Sequence, residues 1–560
     1  MNIQNFKEHL KQANLPDNLT DGFECRANKL WFDANPDLDI IINFWQQQII
    51  NQTFSFVVYG AGTLIEKIFN TIPQVHYNSS LVAFVDMKAG SRDFSHFPAP
   101  VLPLHVLNTL SYDKLILCHP FAEQDMYEKA CQLGIIDSNI IQVYTSKTLQ
   151  DWQQQCLEKT IALQQQRIEK TKKKLPPDKK TLVYINANGP VIIHPKILKA
   201  CNEPAFNIFH CHLSVLGHMV PSTTDCDYDF DCGSSLGLCI AIISTINPDV
   251  IYVNDNGLLK YQIAPLIKLF FDQKIFIYEP YDTIASIYSD ASTLQAIDMT
   301  AKDIDYSLAT EAYLFEQSNG VIHNDNGLPI HQLLKKHHTN HLHFHSYLGQ
   351  EDIVFIDKNH FSTPIHLVFA GSVLPSNAAK EVHCDQMLLP FFKVLVSQGF
   401  KLTVYVSNAK DRTDLDDLFH EFLFFASKNP LFEIFPFTPR DHLIKKIASA
   451  DFGLHLFPLP KNDSTRSAMY ETSMASKIQT YIAAGLPIIT GHFLKPIAKI
   501  VNDNQIGMAV NDEDINTLKE IVWNCDYQQL KQNVSLIQKQ TTWQAHLAEL
   551  ETFLREICHS

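Results

Sequence analysis

Lys477, directly after Ser476, opens the part of the chain with the clearest chemistry, Tyr470–Thr490 (YETSMASKIQTYIAAGLPIIT). The pattern predicts a loop over Thr472–Ser476, a helix from about Lys477, a stop at Gly485–Leu486–Pro487, and a strand over Pro487–Thr490. Gly485 suits the position after a helix because it accepts positive φ without a Cβ clash. Pro487 cannot continue a helix and turns the chain into a β-branched run. A helix that begins after Ser473 and Ser476 offers unpaired N–H groups and partial positive charge to an anion. Lys477 adds a full charge at the same place, which is chemistry for holding a diphosphate.

A second set lies near the N-terminus. Gly60-Ala61-Gly62 follows the apolar run Ser55–Tyr59 and precedes a helical pattern through Ile65, Ile68 and Phe69. The run Leu81–Val85 comes next and ends at Asp86. Strand, glycine turn, helix, strand and acidic residue follow the spacing of a dinucleotide fingerprint. Gly60 and Gly62 would let the backbone approach a pyrophosphate, and Asp86 would accept from ribose hydroxyls. Ile65 stands where a third glycine would be.

Two clusters raise the question of a metal. Asp225, Asp227, Asp229 and Asp231 alternate along the stretch that holds Cys226 and Cys232. Clustered carboxylates suit a hard cation, but the spacing is not that of an EF-hand, so an acidic loop is expected. His337, His338, His341, His343 and His345 follow, and the last three share one face of an extended segment. With no carboxylate or cysteine beside them, a connecting strand is expected rather than zinc. No metal is therefore expected.

These residues need a large scaffold. The 560 residues exceed one core and imply three or four domains. Hydrophobic residues make up 46% and aromatics 11%, a globular composition. A net charge of −15 argues against non-specific nucleic-acid binding. The apolar run Leu236–Ile246 is too short to span a bilayer, and the first residues lack a signal-peptide core. Twelve cysteines without a CxxC pair suggest reduced thiols and a cytoplasmic chain, with peripheral contact at a membrane face allowed.

The expected organisation is a helical preface over 1–50, a Rossmann-like domain over 51–150, and a connecting helix over 151–180 that ends in a lysine-rich run. A second α/β domain follows over 181–350, a third over 360–525, and C-terminal helices over 526–560. Continuous apolar strands between helices mean parallel sheets covered on both faces, with ligands beyond the strand C-termini. In the second domain that rim holds Asn188, Gly189, His194, Asp255, Tyr281 and Asp282, groups that hydrogen-bond sugar hydroxyls.

The pattern of Ser476, Lys477, Ile478, Tyr481, Ala483, Ala484, Gly485, Pro487, Ile488 and Ile489 resembles the donor-site segment of GT-B glycosyltransferases. It is most similar to the retaining group that builds bacterial surface glycans. The resemblance covers about Thr181–Ser560. It implies an α/β chain of GT-B type, two Rossmann-like halves facing a cleft, with an additional N-terminal Rossmann-like domain. The first half would take the acceptor, the second a nucleotide-sugar, and a C-terminal segment near Trp543 would cross back to the first. Gly371 would let the backbone approach the donor phosphates.

Several positions depart from the family. Ser372 stands where an arginine is common, Thr480 where a glutamate usually holds the ribose, and Tyr281-Asp282 where His-Asp is frequent. Arg466 would supply positive charge, Glu471 would orient donor hydroxyls, and Asp282 would act on the acceptor side.

The expected activity is transfer of a sugar from a nucleotide-sugar to a glycan, glycolipid or glycoprotein, with no cofactor beyond that substrate. Two rivals are a sugar-nucleotide oxidoreductase or epimerase built on Gly60, Gly62 and Asp86, and a non-catalytic sugar-nucleotide-binding scaffold.

Overall fold

Short apolar runs separated by helices form three parallel sheets. The computed structural model describes residues 3–13, 15–31, 38–73, 77, 80–87, 89, 94, 97–119, 122–187, 193–213, 226–255, 263–280, 301–324, 328–337, 339–374, 388–457 and 475–559. The first sheet comprises β1 (Phe56–Tyr59), β2 (Leu81–Asp86), β3 (Val101–Pro103), β4 (Lys114–Leu117) and β5 (Ile140–Gln142), in the order β3-β2-β1-β4-β5. The second comprises β6 (Lys180–Ala187), β7 (Phe206–His212), β8 (Tyr228–Asp231), β9 (Val250–Asp255), β10 (Ile275–Pro280), β11 (Gly320–His323) and β12 (His341–His343), in the order β12-β11-β10-β9-β6-β7-β8. The third comprises β13 (His366–Gly371), β14 (Lys401–Val406), β15 (Phe432–Phe435), β16 (Phe452–His455), β17 (Ile488–Gly491) and β18 (Gly507–Val510), in the order β15-β14-β13-β16-β17-β18.

All three share one winding. The chain starts in an inner strand, builds outward on one side, then returns to build the other. The reversal leaves a switch point between β1 and β4, between β6 and β9, and between β13 and β16, where doubly wound sheets bind ligands. The central strands are buried on both faces, which is why they are continuous apolar runs without alternation.

The N-terminal preface is not one unit. Helices Ile3–Gln12 and Asp17–Leu30 put Phe6, Leu10, Phe23 and Trp31 into the core under the second sheet, beside Val183 and Phe276. The Trp31 carbonyl accepts from Gly237 N at 3.0 Å and from Ser235 Oγ at 2.9 Å. Helix Leu38–Trp45 instead joins the core of the first sheet. Short amphipathic helices gain their stability from the face they cover, and these cover two different sheets. The boundary near Thr181 therefore cuts through a shared core.

The connecting helix, Lys147–Lys172, joins the first two cores, with Leu149 in one and Leu157 and Ile168 in the other. At the C-terminus, helix Leu547–His559 returns to the second sheet, where Phe553 and Ile557 pack over Gly320. Tyr347 stacks on His546 at 4.1 Å, and Trp543 is buried. Two Rossmann-like units with a returning C-terminal helix are the GT-B arrangement that the resemblance implies. No described helix is long and apolar enough to cross a membrane.

Candidate functional site

The switch point of the third sheet brings together residues far apart in sequence. Gly371 ends β13 and His455 ends β16. Lys477 opens the helix Lys477–Ala483, and its Nζ lies 2.6 Å from where a Cβ on Gly371 would stand. A side chain at 371 would displace the ammonium, the mobile end of the lysine, from this place. The same Nζ sits 4.7 Å from the Phe369 ring centroid, a cation–π contact. His455 is buried, and burial followed by the Lys477 charge holds its imidazole well below the usual histidine range. It is neutral there, and its Nδ1 has no hydrogen-bond partner among the described residues.

Tyr481 fixes this geometry. Its hydroxyl accepts from Ala370 N at 2.9 Å and donates to the Leu454 carbonyl at 3.0 Å, tying the ends of β13 and β16 together. Gly453 makes room for the ring, since a Cβ there would lie 2.3 Å from it. Gly485 has φ +69°, as its place after the helix requires. The last carbonyls of that helix are also satisfied. Gln538 Nε2 donates to Ile482 O at 2.9 Å and Ala483 O at 3.1 Å, and Lys531 Nζ donates to Gly485 O at 2.6 Å.

The other expected donor residues take varied positions. Ser476 is exposed and makes no capping hydrogen bond, because its backbone is already helical at φ −59°. A capping hydroxyl needs extended backbone to reach back to the helix N–H groups. The Ile478 side chain lies in the apolar core of the third unit. Thr480 Oγ1 accepts from Arg440 Nε at 3.3 Å, and Arg440 Nη2 reaches Ser346 O at 3.5 Å, linking the second and third units. Ser372 Oγ meets Ser407 Oγ at 2.9 Å on the exposed rim. Arg466 and Glu471 lie outside the described residues, as do Asn188, Gly189, Tyr281 and Asp282.

At the second switch point the described polar groups Asn186, Asn254 and Asp255 are buried. Asp255 Oδ2 accepts from Ile263 N at 2.8 Å and Ala264 N at 2.9 Å, so this buried carboxylate caps the helix Ala264–Phe270. His194 is exposed and leads into helix Pro195–Ala200. Glu279, at the end of β10, is fully buried and is approached by the Tyr252 hydroxyl, the Asn254 amide and, at 3.1 Å, Ile193 N. Among the described residues, the expected histidine set is a row of ring contacts. His343 and His345 are 4.5 Å apart, and neither belongs to a converged ligand group.

In the first unit Gly60 has φ +102°, as a tight turn requires. Asp86 Oδ2 accepts from Ala61 N at 2.9 Å, so the acidic residue bonds back to the glycine turn itself. A Cβ on Gly62 would meet open space.

Sequence reasoning missed His455, Phe369 and Arg440 as participants. The available signal for His455 was a histidine ending an otherwise apolar strand. For Phe369 and Arg440 there was none short of knowing the neighbours.

The family model described as Glucosyltransferase 3-like, C-terminal domain, matches residues 405–549. No curated protein matches the chain. Among solved structures, Anabaena HepE in complex with UDP and glucose is similar, with 11% identity, a TM-score of 0.43, and coverage of 67% of this chain and 100% of that one. A Polygonum tinctorium UDP-glucosyltransferase that glucosylates indoxyl has 11% identity and a TM-score of 0.41, with 69% and 100% covered. A Thermobaculum terrenum O-GlcNAc transferase mutant has 12% identity and a TM-score of 0.40, with 69% of each chain covered.

Proposed function

We propose that this chain is a glycosyltransferase that moves a hexose from a nucleotide-sugar to a glycan, glycolipid or glycoprotein acceptor in bacterial surface-glycan assembly. The observation that carries the reading is the seating of Lys477 on Gly371 at the switch point between β13 and β16. In glycosyl transfer, negative charge develops on the leaving diphosphate, and a preorganised cation aimed at it stabilises the transition state. Lys477 is that cation, and Gly371 lets the phosphates approach the strand end. Neutral His455 offers a hydrogen bond at the same place without adding charge. The match to a glucosyltransferase-like C-terminal domain covers residues 405–549, the later part of this unit with Lys477, and favours a glucose-type donor.

In this reading Glu471 and Arg466 contact the donor and Asp282 serves the acceptor side. Lys477 supplies the charge compensation, so no metal cofactor is needed. The site of action is the cytoplasm, with peripheral contact at the inner membrane face. A thermal-shift screen of the full chain with nucleoside diphosphates and nucleotide-sugars tests the reading, because a ligand that binds only the folded state raises its melting temperature by mass action. A concentration-dependent rise with a nucleoside diphosphate-hexose is expected. A flat response to the whole panel at millimolar concentration would overturn the proposal.

A further inference from the structure

The edge of the second sheet carries a second constellation, which the sugar-transfer reading does not use. β7 places His210 and His212 two residues apart, hence on one face, and their ring centroids are 3.8 Å apart. β8 runs alongside, with Asp229 in register opposite His210. Asp229 Oδ1 lies 3.0 Å from His212 Nε2 and 3.5 Å from His210 Nδ1. Cys226 stands just ahead of β8, and the ligand atoms of His210, Cys226 and Asp229 all lie within 4.8 Å of one another.

Asp225 lies outside the described residues, and the other described carboxylates of the acidic run are engaged elsewhere. Asp227 receives Lys199 Nζ at 2.8 Å and Ile208 N at 3.0 Å, and Asp231 receives Gly233 N at 2.8 Å. Asp229 is the one turned to the imidazoles.

We propose that His210, His212, Cys226 and Asp229 form a binding site for a zinc-class divalent transition cation, clasping the edge strand β8 to β7. Zinc binds cysteine sulfur at about 2.3 Å and histidine nitrogen or carboxylate oxygen at about 2.0–2.2 Å, so ligand atoms of a tetrahedral site stand about 3.3–3.8 Å apart. The cluster reaches that spacing by small side-chain rotations. One thiolate and one carboxylate balance a divalent charge, while two imidazoles add none, so the loaded site is neutral. Cys226 and Asp229 are only partly buried, which leaves an entry path.

A contrasting trio draws one cysteine from β7, one from just past β8 and one from the helix Leu236–Ile246. The sulfurs of Cys211, Cys232 and Cys239 also lie within 4.8 Å of one another, fully enclosed in an apolar core with Phe209 and Phe230. Three thiolates around a divalent ion would leave a net charge there without a partner, so this trio is packing.

The full-length protein, stripped with chelator and titrated with zinc and then cobalt(II), tests the assignment. About one metal per chain is expected, together with a thiolate-to-cobalt charge-transfer band. Cys226→Ser should abolish the band, and His212→Gln should weaken zinc binding at least tenfold against a competing chelator, both with the fold retained by circular dichroism. Cys239→Ser should keep the band. Absence of stoichiometric uptake of either metal would overturn the proposal. So would a band that survives Cys226→Ser and disappears in Cys239→Ser, since it would place the metal in the trio. Should Cys226→Ser fail to fold, Asp229→Asn decides, and zinc affinity unchanged in that variant would equally overturn the site.

Discussion

The first and third sheets wind in the same order and carry a glycine at the end of their first strand or just past it, Gly371 and Gly60, yet they treat that strand end differently. In the first, Asp86 folds back and accepts from Ala61 N at 2.9 Å, so the protein supplies an anion to its own glycine turn. In the third, Lys477 reaches over Gly371 and presents a cation, with a neutral buried histidine beside it. The topology supplies a place for a ligand in both units, and the residues that arrive there decide its charge. An incoming diphosphate would compete with a resident carboxylate in the first unit and meet an ammonium in the third. The proposed function therefore places the donor site in the third unit, although the first has the more familiar glycine spacing.

The largest effect on this contrast is expected from Tyr481→Phe. It leaves Ala370 N–H and the Leu454 carbonyl unpaired at the junction of β13 and β16, at about 2–4 kcal/mol of stability. Chemical denaturation should show that loss, and nucleotide affinity should fall with it because Gly371 and His455 lose their common anchor.

Alanine at the two glycines separates the roles further. Gly60→Ala should destabilise the protein by about 1–2 kcal/mol, since φ +102° strains any residue with a Cβ, and should leave nucleoside diphosphate binding unchanged. Gly371→Ala should do the reverse. Its Cβ meets the mobile end of a lysine, so melting shifts little while affinity falls about tenfold, or about 1.4 kcal/mol. Equal effects on binding from both would remove the distinction between the two units.

A pH-dependent difference, spread over a wide pH window, comes from Glu123 in the first unit. Its carboxylate accepts from Tyr144 N at 3.0 Å and Thr145 N at 2.9 Å, but burial dominates and pushes it up to about 7. The folded state therefore holds the proton more tightly than the unfolded chain. That stability is fully present below about pH 4.5 and is lost as pH rises through 7, on the order of 3 kcal/mol in all. Melting curves across this window should show the decline, and Glu123→Gln should flatten it.

The three parallel units were legible in the sequence because strands buried on both faces need continuous apolar runs. The helix stop at Gly485 was legible because positive φ and Pro487 leave few alternatives. The partners of Phe6 and Trp31 were not, since an amphipathic helix shows which face it buries but not against which sheet. His455 emerged only once β16 was known to lie beside β13. Ser476 stands at a helix start without capping it, because capping depends on a backbone angle that its neighbours set. Asp255 looked like a ligand-facing carboxylate, and the structure uses it to cap a helix.

The central claim is that Lys477 holds the diphosphate of a nucleotide-sugar. Calorimetric titration of the wild type, Lys477→Ala and Lys477→Arg with nucleoside diphosphates, alongside melting temperatures, tests it directly. Loss of a charge-assisted contact of about 2–3 kcal/mol should weaken binding roughly 30- to 150-fold in the alanine variant. Arginine should recover only part, because a planar fork does not reproduce a point charge. Melting should hold or rise, since a lysine at a helix N-terminus opposes the dipole. Unchanged affinity in Lys477→Ala, with the protein still folded, would contradict the account.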